Sequence, residues 1–432
     1  MTITSRNRPE TQTIKTFTSP KSKTMALTSG HILHLSEPAS IGVVRIELFW
    51  AAGSFHQNKT YIATLANDLL FSGNNNRTEF EVVEFLDFLG ATHRTECGSL
   101  GSSVVVRANK KNILTAFAWV VKNIHEANYP EKELETAKLV RSASLERQQK
   151  TPKYWSNRLA LEHLYGDNSF LGKHGNVEDY SLVNREDLMS FKSIYYSLDK
   201  AMIFVSGDTD DELLGSIEKE LQPFREGGSI TIDAPTCESL PTPNPGYITK
   251  HVDGTNQVSL QLVQHIQPKN QRERFGLTLL NLVLGGYFGS RLMQILREEK
   301  GLTYGIGSYF KPAFNDYTWT IAGDLNSDNI EASISTIHDI FSGLKTILLD
   351  DSELDKIKQY YSGQFRSGFD GPFSMGGKIQ HLMYRGLGED YYNTVLPGIW
   401  SITKEELMSL ANNYLHPESF IHVMAGDTPS SE

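Results

Sequence analysis

The segment Glu133-Leu-Glu-Thr-Ala-Lys138 returns as Glu353-Leu-Asp-Lys-Ile-Lys358, an offset of 220 (353 less 133). Glu186-Asp-Leu-Met-Ser190 returns as Glu405-Glu-Leu-Met-Ser409, and Gly207-Asp208 as Gly426-Asp427, both at an offset of 219 (405 less 186, 426 less 207). Three separate matches at nearly one offset require two copies of one structural unit of ~200 residues, a common domain size. Each Gly-Asp follows an apolar run, Met202–Val205 in the first copy and Phe420–Met424 in the second. Between the copies, Phe224 to Gly246 carries Gly227, Gly228 and Pro235, Pro241, Pro243, Pro245, the composition of a linker. The expected halves are 23–222 and 247–432, joined by 223–246.

Elements follow in the same order in both halves. Val43–Phe49 and Val258–Ile266 approach an alternation of two, which predicts strands with one wetter face. In Tyr61–Phe71, residues Ile62, Leu65, Ala66, Leu69 and Leu70 form one apolar helical stripe. Thr78 followed by Glu81 predicts an N-cap with a capping box, and Gly90 a stop. A strand is expected at Ser102–Arg107, a helix at Asn112–Ala127 and another after Pro130. Strands and helices mixed without strict alternation give an α+β fold, each half a mainly antiparallel sheet with helices packed on one face.

Composition removes several function classes. No run of ~18 apolar residues offers a membrane span. Lys and Arg number 41 against 51 Asp and Glu, a formal charge of −10 with no basic block, which argues against a nucleic-acid partner. Only Cys97 and Cys237 are present, so a reducing compartment is expected and a Cys-rich zinc site is not. Residues 1–24 are basic and rich in Ser and Thr, a bias shared with organelle transit peptides. Ile14, Phe17 and Met25-Ala26-Leu27 instead suggest an extended arm leading into a first strand, and the cytoplasm is the default location.

There is no P-loop, no dinucleotide-binding glycine fingerprint, no G-x-S-x-G, and neither H-E-x-x-H nor H-x-x-E-H. His31 and His34, three apart in an apolar strand, point to opposite faces and cannot share a metal. Glu162-His163 is half a zinc motif with Leu159 where its first His belongs, so His163 is expected to be an ordinary helix residue.

One segment does carry a signature: Gly289-Ser-Arg-Leu-Met-Gln-Ile-Leu-Arg297-Glu-Glu-Lys-Gly-Leu-Thr-Tyr304, preceded by Gly285-Gly-Tyr-Phe. It resembles the C-terminal-domain signature of the pitrilysin and mitochondrial processing peptidase family, whose zinc members are the inverzincins. That family is built from tandem α+β halves, so the resemblance extends over nearly the whole chain. It implies a zinc motif on the helix after the first long strand, where Leu69-Leu70-Phe71-Ser72-Gly73 sets the register. The two His positions then hold Thr64 and Asp68, the Glu position holds Asn67, and the distal Glu position falls on Ala143 to Leu145, with Glu146 off the required face. A hydroxyl, an amide and one carboxylate offer zinc a single good ligand, and Asn67 cannot be a general base. These degenerate positions are read as sharing the polar face opposite the apolar stripe.

The resemblance implies a zinc-less subunit of a heterodimeric zinc endopeptidase acting on short or unfolded peptides. Arg297 and Tyr304 would act in trans, in substrate binding and oxyanion stabilisation, on a homologous zinc-bearing partner. No metal or other cofactor is expected in this chain. Presequence recognition is not implied, because the long glycine-rich loop of the mitochondrial α-subunit is missing. The alternative is a purely structural or peptide-binding homolog with no part in catalysis. An autonomous peptidase has no supporting ligand set.

Overall fold

The computed structural model describes residues 13–167, 169–224, 245–313 and 316–428. Most of the expected linker therefore lies outside the described residues, and Gly246 already opens a strand. The first half contributes strands Ser22–Ala26 (β1), Ile32–Ser36 (β2), Val43–Trp50 (β3), Thr92–Cys97 (β4), Ser102–Asn109 (β5) and Met202–Gly207 (β6). The second contributes Gly246–His251 (β7), Gln257–Ile266 (β8), Thr303–Ala313 (β9), Asp316–Asn326 (β10) and Ile421–Gly426 (β11). The two large sheets run β1-β2-β6-β3-β5-β4 and β9-β10-β8-β11-β7, beside a two-stranded ribbon of Gly73–Asn74 with Arg77–Thr78. Without β1, the first order read backwards matches the second strand for strand. All pairs are antiparallel except β2 with β6 and β7 with β11. The architecture is α+β in two tandem halves.

The repeated Gly-Asp has one physical cause in both copies. Gly207 and Gly426 adopt φ of +105° and +136°, and a Cβ on either would lie 2.2 Å from Val43 O or 2.1 Å from Gln257 O. Only glycine lets the closing strand approach its neighbour so tightly. The Asp208 and Asp427 amides then donate to those same carbonyls at 2.9 and 3.3 Å.

Each half lends a helix to the other. The Pro152–Tyr165 helix is capped by Thr151, starts with Pro152 at its first position and ends at Gly166 in the left-handed region, φ 77°. Its Ala160, Leu164 and Tyr165 pack on Val263, Ile421 and Val423 of the second sheet. Reciprocally, Ile379 of the Met375–Tyr384 helix packs on Phe49, Met202 and Phe204 of the first. Burying one such large apolar side chain contributes about 1.5–3 kcal/mol. This exchange dries the strand faces that alternation predicts to be the wetter ones. Ser259 and Gln261 of β8 are buried against Ser156, with Ser156 Oγ 3.0 Å from Ser259 Oγ. Glu47 of β3 is buried against Gln380, whose amide donates at 2.9 Å.

The leading arm crosses to the second half. Phe17 packs on Phe365 and Phe369, and Trp400 Nε1 donates to Ile14 O at 2.9 Å. His31 lies just before β2, buried, bonded to Ser29 Oγ and Leu198 O. His163 is a helix residue contacting Leu159 O at 2.9 Å. Among the described residues, no helix is long and apolar enough to cross a membrane.

Candidate functional site

The expected motif helix is short, Ile62–Asp68, and continues as a tight turn through Phe71. It starts at Tyr61, held at φ 72°, where a large residue is strained. Tyr61 stacks on Tyr180 with ring centroids 3.9 Å apart, and Gln57 Oε1 accepts the orphan Ala63 N–H at 3.2 Å. The apolar stripe is buried as expected, but the buried arc is wider. Asn67 is 0% exposed, so it does not share an open face with Thr64 and Asp68, which are half-buried. The reason is packing from behind: Tyr196, itself buried, lies against Asn67 and Ser102. Neither polar atom of the Asn67 side chain makes a well-formed hydrogen bond.

Asp68 is answered by a residue the sequence reading passed over. Arg141, on the Glu131–Gln149 helix, donates to Asp68 Oδ2 through Nε at 2.9 Å and again through Nη2. Arg141 lies on the same helix as the distal position expected at 143–145, two residues before it. Buried Leu134 and Leu145 fix the inward face of that helix, a signal already present in the spacing. Beside Thr64, burial pushes the Cys97 thiol up, partly opposed by hydrogen bonds to Ser102 and Thr64. A guanidinium sits where a metal would need ligands, and Thr64 and Asn67 supply none, so these residues do not fit zinc. Among the described residues, no group of three His, Cys, Asp or Glu side chains is arranged to hold a metal ion.

The second-half signature forms an irregular unit. Residues Met293–Glu299 coil as a wide π-helix, with Lys300 N–H reaching Ile295 O at 3.0 Å, a geometry frequent at functional sites. Arg297 lies on it, 38% exposed, 5.2 Å from the Phe288 ring and 3.6 Å from Glu298. The chain then enters β9 through a bulge: Thr303 pairs with Leu325 and Gly305 with Asp324, leaving Tyr304 as the extra residue. Thr303 Oγ1 secures the bulge by donating to Asp324 O at 2.7 Å and accepting from Gly305 N at 3.1 Å. A bulge re-aims the side chain it carries. Tyr304 is consequently 84% exposed. Among the described residues, no hydrogen bond, ion pair or ring contact joins Arg297 or Tyr304 to Thr64, Asn67 or Asp68.

Both bulge and motif helix adjoin open sheet edges, since β9 and β4 are terminal strands of their sheets. Between the Pro152–Tyr165 helix and the second sheet lies a cleft of about 700 Å³, floored by Gly305, Gly307, Ala322 and Gly323.

Residues 182–361 match the family described as "Peptidase M16 inactive domain". A zinc protease of Bacillus subtilis is 23% identical over 334 residues, covering 76% of this chain and 80% of that protein. One from Rickettsia felis is 25% identical over 297 residues, covering 67% and 69%. The fold is shared with a peptidase M16 inactive domain from Pseudomonas fluorescens, TM-score 0.82 at 21% identity, covering 95% of this chain and 99% of that one. A protease from Helicobacter pylori superposes equally well, TM-score 0.82 at 18% identity, covering 95% and 100%. With its tandem halves and its Arg297–Tyr304 segment, the chain is similar to the pitrilysin and processing-peptidase family, and its second half carries the match to that family's inactive domain.

Proposed function

We propose that this chain is the zinc-less subunit of a two-subunit cytoplasmic zinc endopeptidase for short or unfolded peptides. Its sister chain would bear H-x-x-E-H, the distal Glu and the zinc. The two would close on one another, with Arg297 and Tyr304 presented to the sister's active site. The carrying observation is the exposed, bulge-mounted Tyr304 in a chain whose own motif helix has no metal chemistry. A tyrosine hydroxyl can donate to the oxyanion formed as a peptide carbonyl is attacked. An arginine fork can hold a peptide carbonyl or carboxylate. Substrate would add as a strand to an open sheet edge, where main-chain bonds bring affinity with modest sequence demand.

A second reading has its own support: Arg297 is already engaged by Phe288 and Glu298 within this chain. On that reading the chain is a structural or peptide-binding homolog with no part in catalysis. Reconstitution separates the two. The chain alone should cleave nothing, and mixing with its zinc-bearing sister should create activity on an unstructured peptide. Tyr304→Phe should then lower kcat by ~10²–10³, the usual cost of an oxyanion donor. Unchanged turnover with intact assembly would establish the second reading.

A further inference from the structure

The first sheet carries a charge arrangement that its repeat lacks. Arg45 on β3 and Arg107 on β5 are register partners, so their side chains leave the same face side by side. Like charges directly opposite one another are destabilising. Arg94 on the edge strand β4 joins them: Thr92 pairs with Arg107, Arg94 with Val105, and alternation puts 92 and 94 on that face.

Two carboxylates meet these three guanidiniums. Glu47 holds Arg45 at 2.5 Å and is otherwise used by Gln380. Glu96 pairs with Arg94 at 2.8 Å, out in solvent, where such a pair contributes little. Arg107 has no ion pair among the described residues and lies over the Phe373 ring at 5.1 Å. Its guanidinium is pushed down by desolvation and then by Arg45 and Arg94. Arg45 keeps Nε and Nη1 buried without a hydrogen-bond partner.

The internal repeat supplies the control. Val44 opposite Gly207 corresponds to Val258 opposite Gly426. Arg45 therefore matches Ser259, Glu47 matches Gln261, Arg107 matches Asp324 and Arg94 matches Gly307. Those four counterparts line the open cleft of the second half. The same sheet is thus built without the arginines, and packing does not require them.

We propose that Arg94 and Arg107, with Arg45 behind them, form a binding site for an acidic side chain of an extended peptide laid along the open edge of β4. A strand added there would set alternate side chains about 5 Å from Arg94, on the arginine face. A carboxylate can accept two parallel bonds from one guanidinium fork, and an amide cannot replace that charge. The chain's overall charge of −10 repels acidic peptides at long range. The cluster acts at short range and selects register instead. This inference rests on the peptide-binding part of the proposed function.

The test uses the full chain without its sister and a fluorescent unstructured peptide carrying Glu at alternate positions, compared with the Gln version by anisotropy. The acidic peptide should bind roughly tenfold tighter, as expected for hydrogen bonds to a charged group. Arg107→Gln and Arg94→Gln should each reduce that preference severalfold, and the double variant should abolish it with an unchanged melting curve. Both side chains are exposed, so folding should survive. Lys122→Gln, on the Ile113–Glu126 helix, should leave the preference intact. Equal binding of both peptides, or a preference that survives the double variant, would overturn the proposal. So would competition by a single-stranded oligonucleotide as strong as that of the acidic peptide, which would mark a general anion patch. Any such failure leaves the Tyr304 turnover test untouched, because that test reads catalysis in the complex.

Discussion

Arg141 holds the Asp68 carboxylate through Nε at 2.9 Å, joining two residues 73 positions apart. The pair ties into an ion pair the carboxylate that the family resemblance sets at a metal-ligand position. Because Arg141 is 45% exposed and Asp68 28%, the pair contributes at most about 1 kcal/mol to stability. Its consequence is chemical: a cation is already fixed where a second cation would have to bind.

The purified chain should accordingly carry no stoichiometric zinc, and Arg141→Ala should not create a site. Asp68 would then be a single carboxylate beside a hydroxyl and a buried amide. Elemental analysis of wild type, Asp68→Asn and Arg141→Ala tests this. About one tightly held zinc per chain, lost on Asp68→Asn, would refute it.

Arg297 and Tyr304 should fail differently in the reconstituted enzyme. Arg297→Ala removes the fork proposed to hold substrate, so KM should rise more than kcat falls, the reverse of the pattern for Tyr304→Phe. Steady-state kinetics on one peptide distinguishes them. A pure kcat loss at Arg297 would assign it to the reacting carbonyl instead. Neither change should weaken assembly measured by sedimentation.

The two Gly-Asp closures should be equally intolerant. Gly207→Ala and Gly426→Ala each force a Cβ against a carbonyl at positive φ, and each should cost about 2 kcal/mol or more. Gly215, inside the Asp211–Leu221 helix with nothing within 4 Å, is the control. Gly215→Ala should gain about 0.5–1 kcal/mol. Urea unfolding reads all three, and wild-type stability in either closure variant would contradict the account of the repeat.

Stability should fall in mild acid. His34, His93, His338, His381 and His422 are all held below the ordinary imidazole value, in each case chiefly by burial. At His338, Asp339 and Glu418 push the other way without prevailing. Because the unfolded chain binds these protons more readily, their contribution is complete above pH ~6.5 and is lost as pH drops from there toward the depressed native values. The melting temperature at pH 5.5 should lie below that at 7.5 by about 2 °C or more. His338→Gln should narrow the gap. An identical melt at both values would show that these rings reach solvent when charged.

Much of this architecture was present in local pattern. The offset of the Gly-Asp pairs foretold two sheets of one strand order, and Thr78 with Glu81 foretold the capping box that the structure contains. These features are legible because caps, helical stripes and strand alternation depend on residues within a few positions of one another. Thr64, Asn67 and Asp68 were likewise placed on the motif helix by sequence, and Arg297 and Tyr304 by their shared signature. What the sequence could not determine is what each of these residues faces. The burial of Asn67 beneath Tyr196, the capture of Asp68 by Arg141, the bulge that turns Tyr304 outward and the alignment of Arg45 with Arg107 all come from register and packing between distant segments. So does the exchange of helices that dries the polar strand faces. The helix exchange forms only when the two halves close on each other, and no local period encodes the partner that Asp68 finds 73 residues away.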